Sequence, residues 1–159
     1  MFFGIIGDEK IPDIITSYYN YGGEDVEWVA GFSSGISSVS KNIDNLYLMA
    51  EDVGYANCGY VTNVVVDLTN ISKLKIEWEN TGYISAANES YLNVSTVKNQ
   101  NHGTYNARLK LTNTFGKQIS ELDVSSLSGN YYIRVHAVDG YASGNRKSEI
   151  KVYSIKGYI

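Results

Sequence analysis

Residues Glu121 to Gly140, ELDVSSLSGNYYIRVHAVDG, decide the fold. A hydrophobic run ends at Leu122, the chain turns through Asp123 to Gly129, and a strand begins at Asn130. In that strand Tyr131, Ile133, Val135 and Ala137 alternate with Tyr132, Arg134, His136 and Val138. A period of two marks a strand with one buried face and one outward face. The pattern occurs a second time in VVVDLTNISKLKIEW, Val64 to Trp78, where the turn begins at Asp67 and Leu74, Ile76 and Trp78 alternate with Lys73, Lys75 and Glu77. Both turns read Asp-apolar-(Thr/Ser)-(Asn/Ser)-apolar-Ser. The Asp and hydroxyl side chains of such a turn bond to nearby backbone groups and close it. Ile71 and Leu127, at the fifth position of each turn, are expected to plug an end of the core. Two copies of one strand–turn–strand device point to a sandwich of two similar halves. A solenoid would need a third copy.

Composition narrows the class. A chain of 159 residues with 43% hydrophobic content can build one domain around a real core. With 15 Gly and a single Pro, turns rest on Gly, Asn, Asp and Ser. The 14 Tyr suit pleated, half-buried surfaces, and Tyr also stacks on sugars and fills interfaces. A net charge of -4 and a pI near 5.1 argue against nucleic-acid binding, which needs a basic stripe. Cys58 stands alone, which excludes an intrachain disulfide and a cysteine metal cluster. No stretch approaches the length of a membrane span.

Outward from the two turns, the chain reads as nine or ten strands with turn signals every ~8–12 residues, the spacing of a sandwich or barrel. Strands are expected at 26–32, 45–51, 61–67, 73–79, 91–97, 104–112, 117–122 and 147–155, with a short strand or loop at 83–87. Residues 33–40 read as a loop or twisted edge, 52–59 as a loop, and 98–103 and 139–146 as polar turns or loops. The segment 61–67 holds a continuous apolar run, Val64 to Val66, and reads as a central strand. The fold expected is all-β: an antiparallel two-sheet sandwich of jelly-roll type. Residues 1–22 read differently from 23–159. Pro12 can begin a short helical turn over 12–18. Phe2, Phe3, Ile5 and Ile6 form a compact apolar run, which either packs on its own domain or docks on a partner or a second copy of the chain.

Catalytic constellations are thin. No Gly-x-Ser-x-Gly elbow occurs. His102 in a polar turn and His136 beside Arg134 read as surface groups, and Cys58 as a small buried or half-buried thiol. Glu24, Asp25 and Asp139 are the oxygen donors that could hold a Ca²⁺ ion, although no Asp-x-Asp-x-Asp run fixes a ligand geometry. The aromatic inventory is richer. Tyr47, Tyr132 and Tyr153 fall on the outward parity of three strands, and Arg134 and His136 share it. If those strands are neighbours, they make a Tyr-rich, Arg-bearing face that can stack and hydrogen-bond a sugar ring. Alternatively the Tyr side chains pack under loops or against another subunit.

The segments YNYGGEDVEWVAGFSSG, NLYLMAE, DLTNISKLKIEW, LDVSSLSGNYYIRVHAVDG and IKVYSIKG together resemble a domain of tail, baseplate and other virion-surface proteins of phages that infect Gram-positive bacteria. Such domains look like non-catalytic carbohydrate-binding jelly rolls. The resemblance spans about residues 17–157 and consists of turns and strands. It implies a non-enzymatic structural or decoration protein on the virion surface, anchored to other virion proteins through residues 1–22 and made without a signal peptide. It equally implies a module that attaches a particle to a bacterial surface glycan. Domains of this kind are often appended to long proteins, whereas here the domain follows a short apolar arm, which favours a small accessory protein.

Overall fold

The computed structural model describes residues 15–20, 26–51, 56–82, 88–111, 114–139 and 147–159. Twelve strands lie among them: β1 (Ile15–Asn20), β2 (Trp28–Ser34), β3 (Ile36–Lys41), β4 (Leu46–Glu51), β5 (Ala56–Thr62), β6 (Val66–Asp67), β7 (Lys73–Asn80), β8 (Asn88–Ser95), β9 (Ala107–Leu111), β10 (Gly116–Asp123), β11 (Asn130–Asp139) and β12 (Lys147–Tyr158). Sheet one has the order β10-β7-β12-β4-β3 with β1 paired to β12, and sheet two the order β2-β5-β11-β8-β9 with β6 paired to β11. All these pairings are antiparallel. The protein is an all-β jelly-roll sandwich.

Period-two patterning builds the core between the sheets. Leu46, Leu48 and Ala50 of β4, Leu74, Ile76 and Trp78 of β7, and Ile150, Val152 and Ile155 of β12 face Cys58, Leu92, Val94, Ile133, Val135 and Ala137 of sheet two. The N–H groups of both tryptophans are paired, as Trp28 Nε1 donates to Tyr18 O at 2.8 Å and Trp78 Nε1 to Ser120 Oγ at 3.0 Å. Cys58 is buried with its sulfur 3.2 Å from Met49 O, and burial pushes its thiol up to about 12.

The two Asp turns carry the chain between sheets. The first leads from β6 in sheet two to β7 in sheet one, and the second from β10 in sheet one to β11 in sheet two. In the first, Thr69 N donates to Asp67 Oδ1 at 2.8 Å; in the second, Ser125 N and Oγ donate to Asp123 Oδ1 at 2.9 and 2.6 Å. Ile71 is buried at this end of the core, and Leu127 packs against it half-buried. The turns also bind each other's strands. Leu68 N donates to Gly129 O at 2.8 Å, Gly129 N to Thr69 Oγ1 at 3.1 Å, and Val124 N to Ser72 O at 2.9 Å. Asp67→Ala and Asp123→Ala are each expected to lower Tm, and the double variant to deviate from additivity, because the turns share partners. Thermal unfolding of the three variants measures this.

The structure corrects several sequence expectations. Residues 15–20 extend as β1 along the second half of β12 and bury Tyr18 and Tyr19, so the helical turn expected over 12–18 does not form at its described end. The segment 52–59, expected as a loop, supplies the first half of β5, a central strand buried along its whole length. The central strand expected at 61–67 ends at Thr62; the chain then turns, exposing Val64 and Val65, and resumes as the two-residue β6. Of the two readings of 33–40, loop or twisted edge, the second holds for most of it, since residues 36–41 form the edge strand β3. The apolar run Phe2, Phe3, Ile5 and Ile6, the strand or loop at 83–87 and the loop at 140–146 lie outside the described residues.

Candidate functional site

The expected aromatic face divides between the two sheets. Tyr47 on β4 and Tyr153 on β12 lie on neighbouring strands of sheet one, with Tyr47 opposite Lys151 in the register. Tyr132, Arg134 and His136 lie on β11, in the centre of sheet two. The parity assigned to each residue is correct, but the Asp123 turn moves the chain to the other layer before β11 begins.

On sheet one the outward tyrosines sit in a charged lattice. Tyr153 Oη donates to Glu79 Oε2 at 2.7 Å, and Lys117 Nζ stands 4.1 Å from the centre of its ring. Desolvation first, then the bond to Glu79, pushes the Tyr153 hydroxyl up to about 12. Tyr47 is raised by desolvation and by the Glu149 carboxylate. A shallow cleft of about 430 Å³ beside this sheet is lined by Ser72, Lys73, Glu121, Asp123 and Ser125. Its carboxylates are engaged: Asp123 by Ser125, and Glu121 by Lys73 at 3.5 Å and Lys75 at 3.0 Å.

Sheet two presents a different outer face. The register aligns Asn57, Gly59 and Val61 of β5 with Val138, His136 and Arg134 of β11, and these with Glu89, Tyr91 and Asn93 of β8. Arg108 and Lys110 of β9 lie opposite Asn93 and Tyr91. This face is covered by the connection between β8 and β9, residues 96–106, which folds back across it. Arg134 Nη1 donates to Gln100 O at 3.2 Å and Nη2 to Thr104 O. Arg108 Nη2 and Asn93 Nδ2, the latter at 3.0 Å, both donate to His102 O. The His102 ring stacks on Tyr91 with centroids 5.3 Å apart and planes 10° from parallel, and the Arg108 guanidinium stands 4.2 Å from the Tyr91 ring centre and 4.0 Å from that of Tyr105. Lys98 Nζ ties the start of the loop to Asn63 O and Oδ1, both at 2.7 Å.

Asn57 joins the two histidines. Its Nδ2 donates to His102 Nδ1 at 3.2 Å, so that ring nitrogen accepts, and its Oδ1 lies 3.3 Å from His136 Nδ1, which therefore carries the proton. Nε2 of neutral His136 is then an acceptor. The imidazole has room because Gly59 stands opposite it: a Cβ there would lie 2.9 Å from both Cε1 and Nδ1. Arg134 and His136 are each only 1% exposed, and among the described residues no group pairs with Arg134 Nε or His136 Nε2. Burial, followed by the nearby Arg134, His102 and Arg108, brings His136 down to about 3. Burial and then Arg108 lower His102, and the same two causes bring Arg134 down to about 10.

The face thus holds a buried donor and a buried acceptor two residues apart on β11, an aromatic ring with a planar group on it, and two amides. Tyr132 lies half-buried at its end, opposite Ser95. Sequence reading placed His102 and His136 at the surface; His136 is buried because the 96–106 loop returns over the strand, while His102, a residue of that loop, is half-buried against Tyr91. Asn57, Tyr91, Asn93 and Arg108 were not anticipated. Their available signal was polar residues at outward positions in mid-strand beside a long polar connection. Asp139 is buried at the end of β11 on the inward parity, while Glu24 and Asp25 lie outside the described residues. Among the described residues no group of three or more His, Cys, Asp or Glu side chains is placed to hold a metal ion.

No family model and no curated protein matches the sequence. Solved structures do match the fold. A point mutant of a family 29 carbohydrate-binding module superposes with a TM-score of 0.57 at 11% identity, covering 92% of each chain. A family 29 module from Piromyces equi gives 0.57 at 12% identity over 93% of this chain and 91% of its own. The family 11 carbohydrate-binding module from Clostridium thermocellum, solved with a β-1,3-1,4-mixed-linked tetrasaccharide, gives 0.56 at 13% identity over 90% of this chain and 94% of its own. At these identities the likeness is one of architecture: the chain has the β-sandwich fold seen in carbohydrate-binding modules of families 29 and 11.

Proposed function

We propose that this chain is a non-catalytic carbohydrate-binding module whose ligand occupies the outer face of sheet two. The observation that carries this reading is the pair Arg134 Nε and His136 Nε2, a donor and an acceptor buried together on that face without partners among the described residues. Buried polar atoms are ordinarily hydrogen-bonded. Saccharide hydroxyls both donate and accept, and so can satisfy the one as well as the other. Tyr105 and Tyr132 supply apolar ring surface of the kind that sugar rings stack on. Orienting polar groups beside aromatic walls are what small-ligand sites are made of. The likeness to carbohydrate-binding modules supports the same reading at the level of the fold. Attachment to other virion proteins through residues 1–22, and with it the virion setting, rests on the turn-and-strand resemblance.

A glycan array probed with the full chain tests the proposal. Binding to at least one glycan class is expected, lost in Tyr132→Ala and retained in the double variant Tyr47→Ala, Tyr153→Ala. Loss in the sheet-one variant with retention in Tyr132→Ala would move the site to the opposite face and contradict the reading.

A further inference from the structure

The 96–106 loop shows what the covered face accepts. It meets the sheet through three main-chain carbonyls at alternate positions: Gln100 O on Arg134, His102 O on Arg108 and Asn93, and Thr104 O on Arg134. These three acceptors are backbone oxygens, and ligand oxygens spaced the same way can take their places; His102 Nδ1, which also accepts, takes its bond from Asn57 and not from an arginine. The donors, however, are mismatched to neutral oxygens. Arg134 is a guanidinium at 1% exposure, and no carboxylate among the described residues pairs with it. A buried charge facing only neutral acceptors is costly, and an oxyanion partner offsets that cost.

The surroundings have the same sign. Arg108, Lys110 and Arg134 point outward from β9 and β11. Among the described outward residues of the five long strands of sheet two, Glu89 is the one carboxylate, and it is already held by Lys110 and by the Tyr91 hydroxyl. A cationic face on a chain of net charge -4 is set apart from the rest of the surface.

This inference rests on the carbohydrate-binding reading. We propose that the saccharide taken by this face bears an oxyanion, a carboxylate or a phosphate, which seats on the Nε–Nη2 edge of Arg134 and displaces the carbonyls of the 96–106 loop. That edge is suited to it, since among the described residues Nε has no partner and Nη2 donates to Thr104 O alone. Arg forks bind carboxylate and phosphate through two parallel bonds, each about twice as strong as a neutral one. The mutual opposition of Arg108 and Arg134 would be relieved by the same anion.

Calorimetric titration of the full chain with three probes tests this: an oligogalacturonate, a poly(glycerol phosphate), and a neutral mixed-linked β-glucan oligosaccharide of similar length, each at low and high ionic strength. One charged probe is expected to bind at least about tenfold more tightly than the neutral one, with the advantage shrinking in salt. Which charged probe wins tells carboxylate from phosphate. Arg134→Gln is expected to erase the advantage, and Lys151→Gln on sheet one to leave it intact. Equal binding of neutral and charged probes would overturn the oxyanion inference and leave the carbohydrate-binding reading standing. Binding of none of the three would overturn both. A charged-probe advantage that survives Arg134→Gln would overturn the assignment to Arg134.

Discussion

Arg134→Ala is expected to weaken saccharide binding by roughly 30-fold or more, the usual effect of truncating a buried Arg anchor. Three consequences follow from one side chain. The donor on the covered face disappears. Gln100 O and Thr104 O lose their partners, which loosens the middle of the 96–106 loop. The stem of Arg134, packed between Val61 and Asn93 in the register, leaves a gap beneath that loop. Amide hydrogen exchange should therefore quicken in 96–106 and stay slow in β7 and β12, whose partners lie in the other sheet. Arg134→Lys separates charge from geometry. It keeps the cation but loses the fork, and an intermediate affinity is expected. Binding of Arg134→Ala within about twofold of wild type, in a variant whose Tm shows it folded, would remove the guanidinium from the site.

Acid is expected to destabilise the fold from pH 6.5 downward, before any carboxylate reaches its ordinary range. The chain has two histidines, and both lie on the covered face with values below the ordinary 6.5, His136 at about 3. The unfolded chain takes up protons at 6.5 that the folded chain refuses, so stability is complete above 6.5 and is lost as pH falls toward the folded value. A fully displaced histidine contributes a slope of about 1.4 kcal/mol per pH unit, so roughly 2–3 kcal/mol should be lost between pH 6.5 and 4.5 from His136. For a chain of this length that corresponds to a fall in Tm of roughly 5–10 °C. Among the described residues the polar groups at His136 are Asn57, Arg134, His102 and Arg108, and none is a carboxylate able to hold the imidazolium. His136→Gln should cut the slope of Tm against pH in this window by more than half, with His102→Gln removing a smaller share. A slope unchanged in His136→Gln would mean that the imidazole is solvated.

The sequence was readable where each strand keeps one dry face and one wet face. β7, with buried and half-buried residues in strict alternation, and the Asp67 and Asp123 turns were legible for that reason. β5 was not. The 96–106 loop covers its outer side, every residue of the strand is buried, and polar Asn57 and small Gly59 in mid-strand imitate a loop. The valines at 64 and 65 misled in the opposite sense, being apolar yet exposed in a turn. The site was legible residue by residue and not as a whole. Parity put Tyr47, Tyr132, Arg134, His136 and Tyr153 outward, but no local pattern tells which layer a strand joins after a sheet-crossing turn. Nor does it tell that a polar connection 11 residues long will return over its own sheet to bury His136 and to set its own His102 half-buried against Tyr91.

The central claim, that the outer face of sheet two under the 96–106 loop is where a saccharide binds, is tested most directly by NMR. The backbone amides and the Arg, Asn and His side chains of the full chain would be followed while a glycan selected on the array is added. Shifts concentrated at Asn57, Tyr91, Asn93, Arg134, His136 and residues 96–106, with Tyr47, Glu79, Lys117 and Tyr153 unmoved, are the expected result. Shifts concentrated at Tyr47, Tyr153 and their neighbours on sheet one, with Arg134 and His136 unmoved, would contradict it.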